Sequence, residues 1–323
     1  MTVDDTFVLP DPASHSVPRV PDGYTVEPID HGTLVCGPEG DRLLYAHASP
    51  VCAAADQVDM VLVDVVTSPS VTGALRRCGV VGTSTAVIGL GGDHRVPSPQ
   101  ELERRGRMWG ALIASDNQEL RCPPTAWPPP RTRGPRRTLV LGGARSGKSA
   151  EAELRLQAEP EVTYVATGPL PSADDPAWQQ RVALHRQRRP DWWRTEETLD
   201  VAGLLATSTG AILLDGLGSW LAATMDNCGI WREETGPNAV GAGAPPPEAA
   251  TAEVWRRVEE LAEAWRQTRA NVVAVSDEVG WGVVPATASG GLFRDWLGRL
   301  NERLAHESEE VLLTVAGRVL ELS

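Results

Sequence analysis

One residue constrains this chain more than any other. Lys148 is the only lysine among 30 basic side chains, and it stands inside Gly142-Gly143-Ala144-Arg145-Ser146-Gly147-Lys148-Ser149. Where every other basic position is arginine, a retained lysine marks a place that needs a compact ammonium rather than a guanidinium fork. The spacing is that of a P-loop. Small residues let backbone N–H groups curl around phosphate oxygens, the lysine reaches the β- and γ-phosphates, and the Ser hydroxyl ligates Mg²⁺. Residues 138–141 read as a short buried strand before the loop, and residues 150–156 as a helix after it. The helix N-terminus then also faces the phosphates. That strand–loop–helix context weighs against a chance match in a Gly-rich chain.

The surrounding composition narrows the partners. A formal net charge of −13 argues against nucleic acid or an anionic membrane as the main partner, though a nucleotide can still bind through local donors. No apolar run approaches the about 20 residues that span a bilayer. The acidic start Met1-Thr2-Val3-Asp4-Asp5 lacks the basic region of a signal peptide, so a cytoplasmic protein is expected. The five cysteines, Cys36, Cys52, Cys78, Cys122 and Cys228, are odd in number and lack C-x-x-C spacing. They are read as small buried or surface thiols rather than a disulfide framework or a zinc site.

At 323 residues the chain has room for two domains. Six prolines among residues 122–137 cannot supply helix or ladder donors, which makes that segment a linker between a domain at 1–121 and another at 138–323. A second low-complexity stretch, residues 229–250 with Pro245-Pro246-Pro247, reads as a long surface loop. Downstream of the linker, strands are expected at 138–141, 162–166, 211–214, 272–275, 311–315 and 319–322. Val254, Val258, Leu261, Ala262 and Trp265 recur at helical spacing, and residues 292–304 form a second amphipathic segment. The fold class is therefore α/β, a P-loop NTPase-type, mostly parallel sheet flanked by helices and preceded by a smaller α/β domain. The tryptophans of these helices are read as packing residues rather than base-stacking platforms. Asp215 ends an apolar strand, where it either caps a turn or, behind a P-loop, helps hold Mg²⁺.

With these residues in place, the chain resembles the adenosylcobinamide kinase / adenosylcobinamide-phosphate guanylyltransferase family over about residues 136–322. The resemblance rests on the P-loop, on Tyr164-Val165-Ala166-Thr167, on Arg181 to Pro190 with His185 at its centre, and on Trp193-Arg194-Thr195-Glu196-Glu197. Asp277-Glu278-Val279-Gly280 and Phe293-Arg294-Asp295-Trp296 complete the ordered set. It implies a bifunctional transferase of cobalamin assembly, cytoplasmic and built as a trimer-based homo-oligomer. ATP or GTP with Mg²⁺ would phosphorylate the aminopropanol hydroxyl of adenosylcobinamide, and GMP from GTP would then convert that phosphate to a GDP ester. Lys148, Ser149 and Asp215 would carry the first half, with Ser149 and Asp215 on the metal. Residues 142–149, Asp175, Arg181, Arg189 and Glu278 would bind nucleotide. His185 would be the nucleophile that carries GMP, its imidazole kept unprotonated by Arg181, Arg186, Arg188 and Arg189, which would also hold the triphosphate. Without the resemblance, the same segment reads rather as a solvated basic helix in which His185 is incidental.

The chain departs from the family pattern at four places. Leu184 precedes His185 where some relatives carry a second histidine, and Ala177 stands where a glutamate aligns, with Asp175 nearby. Asp277 replaces an asparagine, an acceptor-only carboxylate in place of an amide donor, and Gly290-Gly291 stand where an arginine is expected. These departures motivate two alternatives, a kinase that has lost guanylylation and a GTP-binding regulatory or interaction module. In the first domain, strands are expected at 24–29, 42–46, 58–65 and 85–90, with helices near 70–77 and 98–109. The succession resembles the C-terminal half of a metallo-β-lactamase-type domain. It has no H-x-H-x-D-H, and His47, Asp93 and His94 are too scattered a set to predict a metal.

Overall fold

The computed structural model describes residues 21–50, 56–91, 95–96, 98–115, 118–123, 136–168, 186, 188–231 and 246–322. Contacts divide the chain into two units, Met1–Thr132 with Arg155–Glu161, and Arg133–Leu154 with Val162–Ser323. Most of the Pro-rich segment, most of the 229–250 stretch, Asp93 and His94 lie outside the described residues.

The first unit is a single six-stranded sheet whose spatial order follows the chain: β1 (Thr25–Ile29), β2 (Gly32–Cys36), β3 (Arg42–Ala46), β4 (Met60–Asp64), β5 (Ala86–Leu90) and β6 (Leu112–Ile113). The first three strands pair antiparallel and the rest parallel. Parallel neighbours need crossovers. Helix α1 (Ser70–Arg77) makes the one from β4 to β5, and α2 (Pro99–Trp109) the one from β5 to β6. The start of α2 is written locally. The Ser98 hydroxyl accepts from the Glu101 N–H at 3.2 Å and Pro99 follows, while Gly110 at φ 67° ends the helix. Strand β2 had no expectation in the sequence, because Gly32 and Thr33 open it without an apolar alternation and its pairing with β1 and β3 defines it.

Among the described residues the second unit carries seven strands. In chain order they are β7 (Arg137–Gly142), β8 (Val162–Ala166), β9 (Arg194–Glu197), β10 (Ala211–Asp215), β11 (Asn271–Asp277), β12 (Glu310–Val315) and β13 (Arg318–Glu321). In space they run β13-β12-β7-β11-β10-β8-β9, all parallel except β13. The inner strands are buried on both faces and read as unbroken apolar runs, such as Ala211-Ile212-Leu213-Leu214. Edge strand β9 is Arg-Thr-Glu-Glu, polar because it is mostly exposed, and no periodicity in the sequence announced it. The helices are α3 (Lys148–Arg155), α4 (Val201–Thr207), α5 (Leu217–Asn227), α6 (Glu248–Gln267) and α7 (Ala288–Ala305). Helices α4 and α5 also escaped the sequence. The first is barely two turns long, and the second mixes buried Gly218 and Thr224 among its apolar positions, which blurs a 3.6-residue stripe.

A hydrophobic core of the second unit unites Leu139, Ile212 and Val272 of the sheet with Leu221, Val254, Leu261, Trp265 and Leu300 of the helices. Trp265 and Trp296 are both buried, as their helical spacing required. Trp265 is 0% exposed, and its indole N–H donates to Ser308 Oγ at 3.2 Å. Trp265→Ala should therefore cost this unit about 3–5 kcal/mol, read as a lower urea midpoint of its unfolding transition.

The cysteines require a correction. Cys36, Cys122 and Cys228 are free thiols, but Cys78 is disulfide-bonded rather than a thiol. Burial pushes the Cys122 thiol up to about 11, so it is not a nucleophile near neutrality. Among the described residues no helix is long and apolar enough to cross a membrane, and no group of three or more His, Cys, Asp and Glu side chains could hold a metal ion.

Candidate functional site

Strand β7 delivers the chain to its loop at the carboxyl end of a parallel sheet, the end where open α/β sheets place their ligands. Two loop glycines are dictated by space and backbone. A Cβ on Gly142 would stand 2.4 Å from Ser146 Oγ and 2.7 Å from the Thr314 carbonyl oxygen, and Gly147 has φ +102°. Arg145 takes φ 56°, a left-handed conformation that costs a non-glycine residue about 1–2 kcal/mol. The loop is tied down by the Gly317 N–H donating to the Ser146 carbonyl at 2.7 Å and the Glu278 N–H donating to the Gly142 carbonyl at 3.0 Å. Helix α3 begins at Lys148, so the N–H groups of its first turn have no partner within the helix and lie at the loop.

Three side chains converge there from three elements. The Ser149 hydroxyl on α3 donates to Asp215 Oδ1 at 3.3 Å, and Asp215 is the last residue of β10. Its second oxygen, Oδ2, accepts from the Tyr164 hydroxyl of β8 at 2.8 Å. Burial and the neighbouring Asp215 carboxylate both raise the Tyr164 phenol far above its ordinary range, so it stays a donor. Lys148 Nζ lies 2.7 Å from Asp277 Oδ1 at the end of β11, and 3.1 Å from the Gly143 carbonyl oxygen, to which it donates. The arrangement is a backbone anion cradle with an ammonium at its mouth and a hydroxyl–carboxylate pair of hard oxygen donors beside it, a set suited to phosphate and a small divalent cation.

The remaining sequence expectations fall out unevenly. Glu278 is half-buried at the base of the loop, and its Oε1 accepts from the Gly280 N–H at 2.9 Å. Arg189 stacks its guanidinium 3.6 Å over the Tyr164 ring, which brings it to the Asp215 side of the site. Asp175, Ala177, Arg181 and His185 lie outside the described residues. Arg188, read with Arg186 as a charge that could hold a triphosphate, forks onto Glu153 at 2.6 and 3.2 Å. Glu153 is only 2% exposed on α3, and a carboxylate so buried needs a cation more than a solvated phosphate does. Arg186 is exposed.

Sequence reasoning gave no role to Tyr164, Glu153 or the Asp277–Lys148 pair. Tyr164 lay inside a quoted motif without a role, and the signal for Asp277 was its departure from asparagine. Nothing in the spacing of Glu153 marks it as buried. Beyond the core, the segment leaving β11 exposes Trp281, Val283 and Val284.

Comparison with known proteins adds the following. Residues 138–322 match the model of the family described as cobinamide kinase / cobinamide phosphate guanyltransferase. The bifunctional adenosylcobalamin biosynthesis protein CobU of Salmonella typhimurium is 34% identical over 187 residues, which cover 55% of this chain and 95% of that protein. The bifunctional adenosylcobalamin biosynthesis protein CobP of Pseudomonas aeruginosa is 36% identical over 187 residues, 56% of this chain and 94% of that protein. Among solved structures, the P4 protein from bacteriophage phi6 in complex with ADP shares 16% identity and a TM-score of 0.28, over 58% of this chain and 60% of that one.

Proposed function

Because this chain belongs to the cobinamide kinase / cobinamide phosphate guanyltransferase family, we propose that its second unit phosphorylates adenosylcobinamide and then transfers GMP from GTP to that phosphate, giving adenosylcobinamide-GDP. The observation that carries the reading is the convergence of Lys148, Ser149 and Asp215 on one glycine loop, with Ser149 Oγ 3.3 Å from Asp215. Phosphoryl transfer asks a protein mainly for in-line positioning and charge neutralisation. The loop N–H groups and the Lys148 ammonium bind the β- and γ-phosphate oxygens. Ser149 and Asp215 would hold Mg²⁺, which supplies charge neutralisation on the transferring phosphate when bound. Tyr164 orients Asp215 by donating to one of its oxygens and leaves the other facing Ser149.

In the second half, the His185 imidazole attacks the α-phosphorus of GTP. The bond to the β-phosphate oxygen breaks, pyrophosphate leaves, and a phosphoramidate to GMP forms. A phosphate oxygen of the phosphorylated corrinoid then attacks the same phosphorus, and the P–N bond breaks. Residues 142–149 with Asp175, Arg181, Arg189 and Glu278 belong to the nucleotide contacts on this reading. A cytoplasmic homo-oligomer is part of the same proposal.

The test is product mass. Full-length protein incubated with adenosylcobinamide, ATP, GTP and Mg²⁺ should yield first a phosphate ester and then the GDP ester. Protein that binds nucleotide and releases neither product would overturn both activities, and the phosphate ester alone would leave a kinase.

A further inference from the structure

The partner of Lys148 calls for its own account. Asp277 stands where the family pattern has asparagine, and the pairing register sets it directly across from Gly142 at the mouth of the loop. Its Oδ1 lies 2.7 Å from the Lys148 ammonium, whose side chain is 13% exposed while that of Asp277 is 46% exposed. An ammonium has three donors. Here one faces the Asp277 carboxylate and another the Gly143 carbonyl, so the group meant for phosphate is already engaged.

We propose that Asp277 is a gate on the phosphate site: its carboxylate acts as an internal counter-ion for Lys148, nucleotide binding is an exchange of partners at that ammonium, and the exchange favours the Mg²⁺ complex over the free nucleotide. An incoming phosphate oxygen and the Asp277 carboxylate carry the same charge, and both are drawn to the one ammonium. A free triphosphate meets that repulsion in full. A Mg²⁺-bound triphosphate carries two fewer negative charges, so the same carboxylate opposes it less. An asparagine at this position would take up the same space without the charge and could donate to phosphate. The half-exposure of Asp277 sets the scale, because water screens the repulsion and limits the effect to about tenfold in affinity rather than thousandfold.

The experiment is calorimetric titration of the full chain with a GTP analogue whose α–β bridging oxygen is replaced by a methylene group, for wild type, Asp277→Asn and Asp277→Ala, each in excess Mg²⁺ and in EDTA. Both variants are expected to bind about tenfold tighter than wild type in EDTA and only about two- to threefold tighter in Mg²⁺. The alanine variant matters because it removes the charge and adds no donor. Circular dichroism establishes that each variant is folded, and if one is not, the other still decides. Equal or weaker binding of a folded variant in EDTA would overturn the gate. So would an equal gain in both conditions, since the discrimination is the claim. The gate rests on the P-loop reading, and the two fail separately: wild type that binds no nucleotide in either buffer sinks that reading, whereas wild type that binds while the variants do not gain sinks only the gate.

Discussion

Lys148→Ala should lower the rate of corrinoid phosphorylation by about 10²–10³, the loss that follows removal of one preorganised charge from a transferring group. The ammonium stands at the mouth of the glycine loop, 2.7 Å from Asp277 Oδ1 and 3.1 Å from the Gly143 carbonyl oxygen. Lys148→Arg should fail nearly as badly, although it keeps the charge. A planar guanidinium is a bulkier fork that needs coplanar acceptors, whereas Lys148 Nζ meets single oxygens of Asp277 and Gly143 as a compact point charge. The fold should survive both changes. Asp277 is half-exposed, so water takes over its solvation once the lysine is gone, and the melting temperature should move by no more than about 4 °C. Single-turnover phosphorylation with saturating nucleotide checks the rate, and a melting curve checks the fold. Retention of more than about a tenth of the wild-type rate in the alanine variant would remove Lys148 from the mechanism.

His185→Ala should abolish the covalent intermediate outright. Wild-type protein incubated with GTP and Mg²⁺ should gain the mass of one GMP, mapped by peptide analysis to His185, and should lose it on addition of adenosylcobinamide phosphate. The variant should gain nothing, because alanine has no nitrogen to form the P–N bond. Phosphorylation of adenosylcobinamide should continue in the variant, since Lys148, Ser149 and Asp215 are untouched, and that split separates a missing nucleophile from a damaged protein. A GMP adduct of undiminished yield in the variant would place the nucleophile elsewhere. Absence of adduct from folded, nucleotide-binding wild type would leave a kinase without the second activity, the reading that Ala177 and Asp277 also invite.

The glycine loop with its lysine was legible because each residue answers a local demand. Gly142 cannot carry a Cβ, Gly147 needs a left-handed backbone, and Lys148 and Ser149 follow at the spacing that starts a helix. The inner strands were legible for a related reason, since parallel strands buried on both faces leave unbroken apolar runs. Asp215 could be seen as a carboxylate ending such a run, and the family resemblance ordered these pieces into one enzyme.

Pairing over long sequence separations was not legible. Strand β9 is polar and becomes a strand only by lying along β8. Strand β11 sits between β7 and β10, so Asp277 rather than Asp215 is the carboxylate that reaches Lys148. The Arg188–Glu153 pair had no signal in the sequence because Glu153 lies 35 positions away on α3. The sequence by itself therefore determined the phosphate loop, the class of fold and the family, all of which rest on residues whose demands are met within a few positions of the chain. Only the tertiary structure decided which charges meet. A carboxylate or guanidinium is the same in sequence whether it faces solvent or a buried partner, and only the packing of distant elements brings the two together.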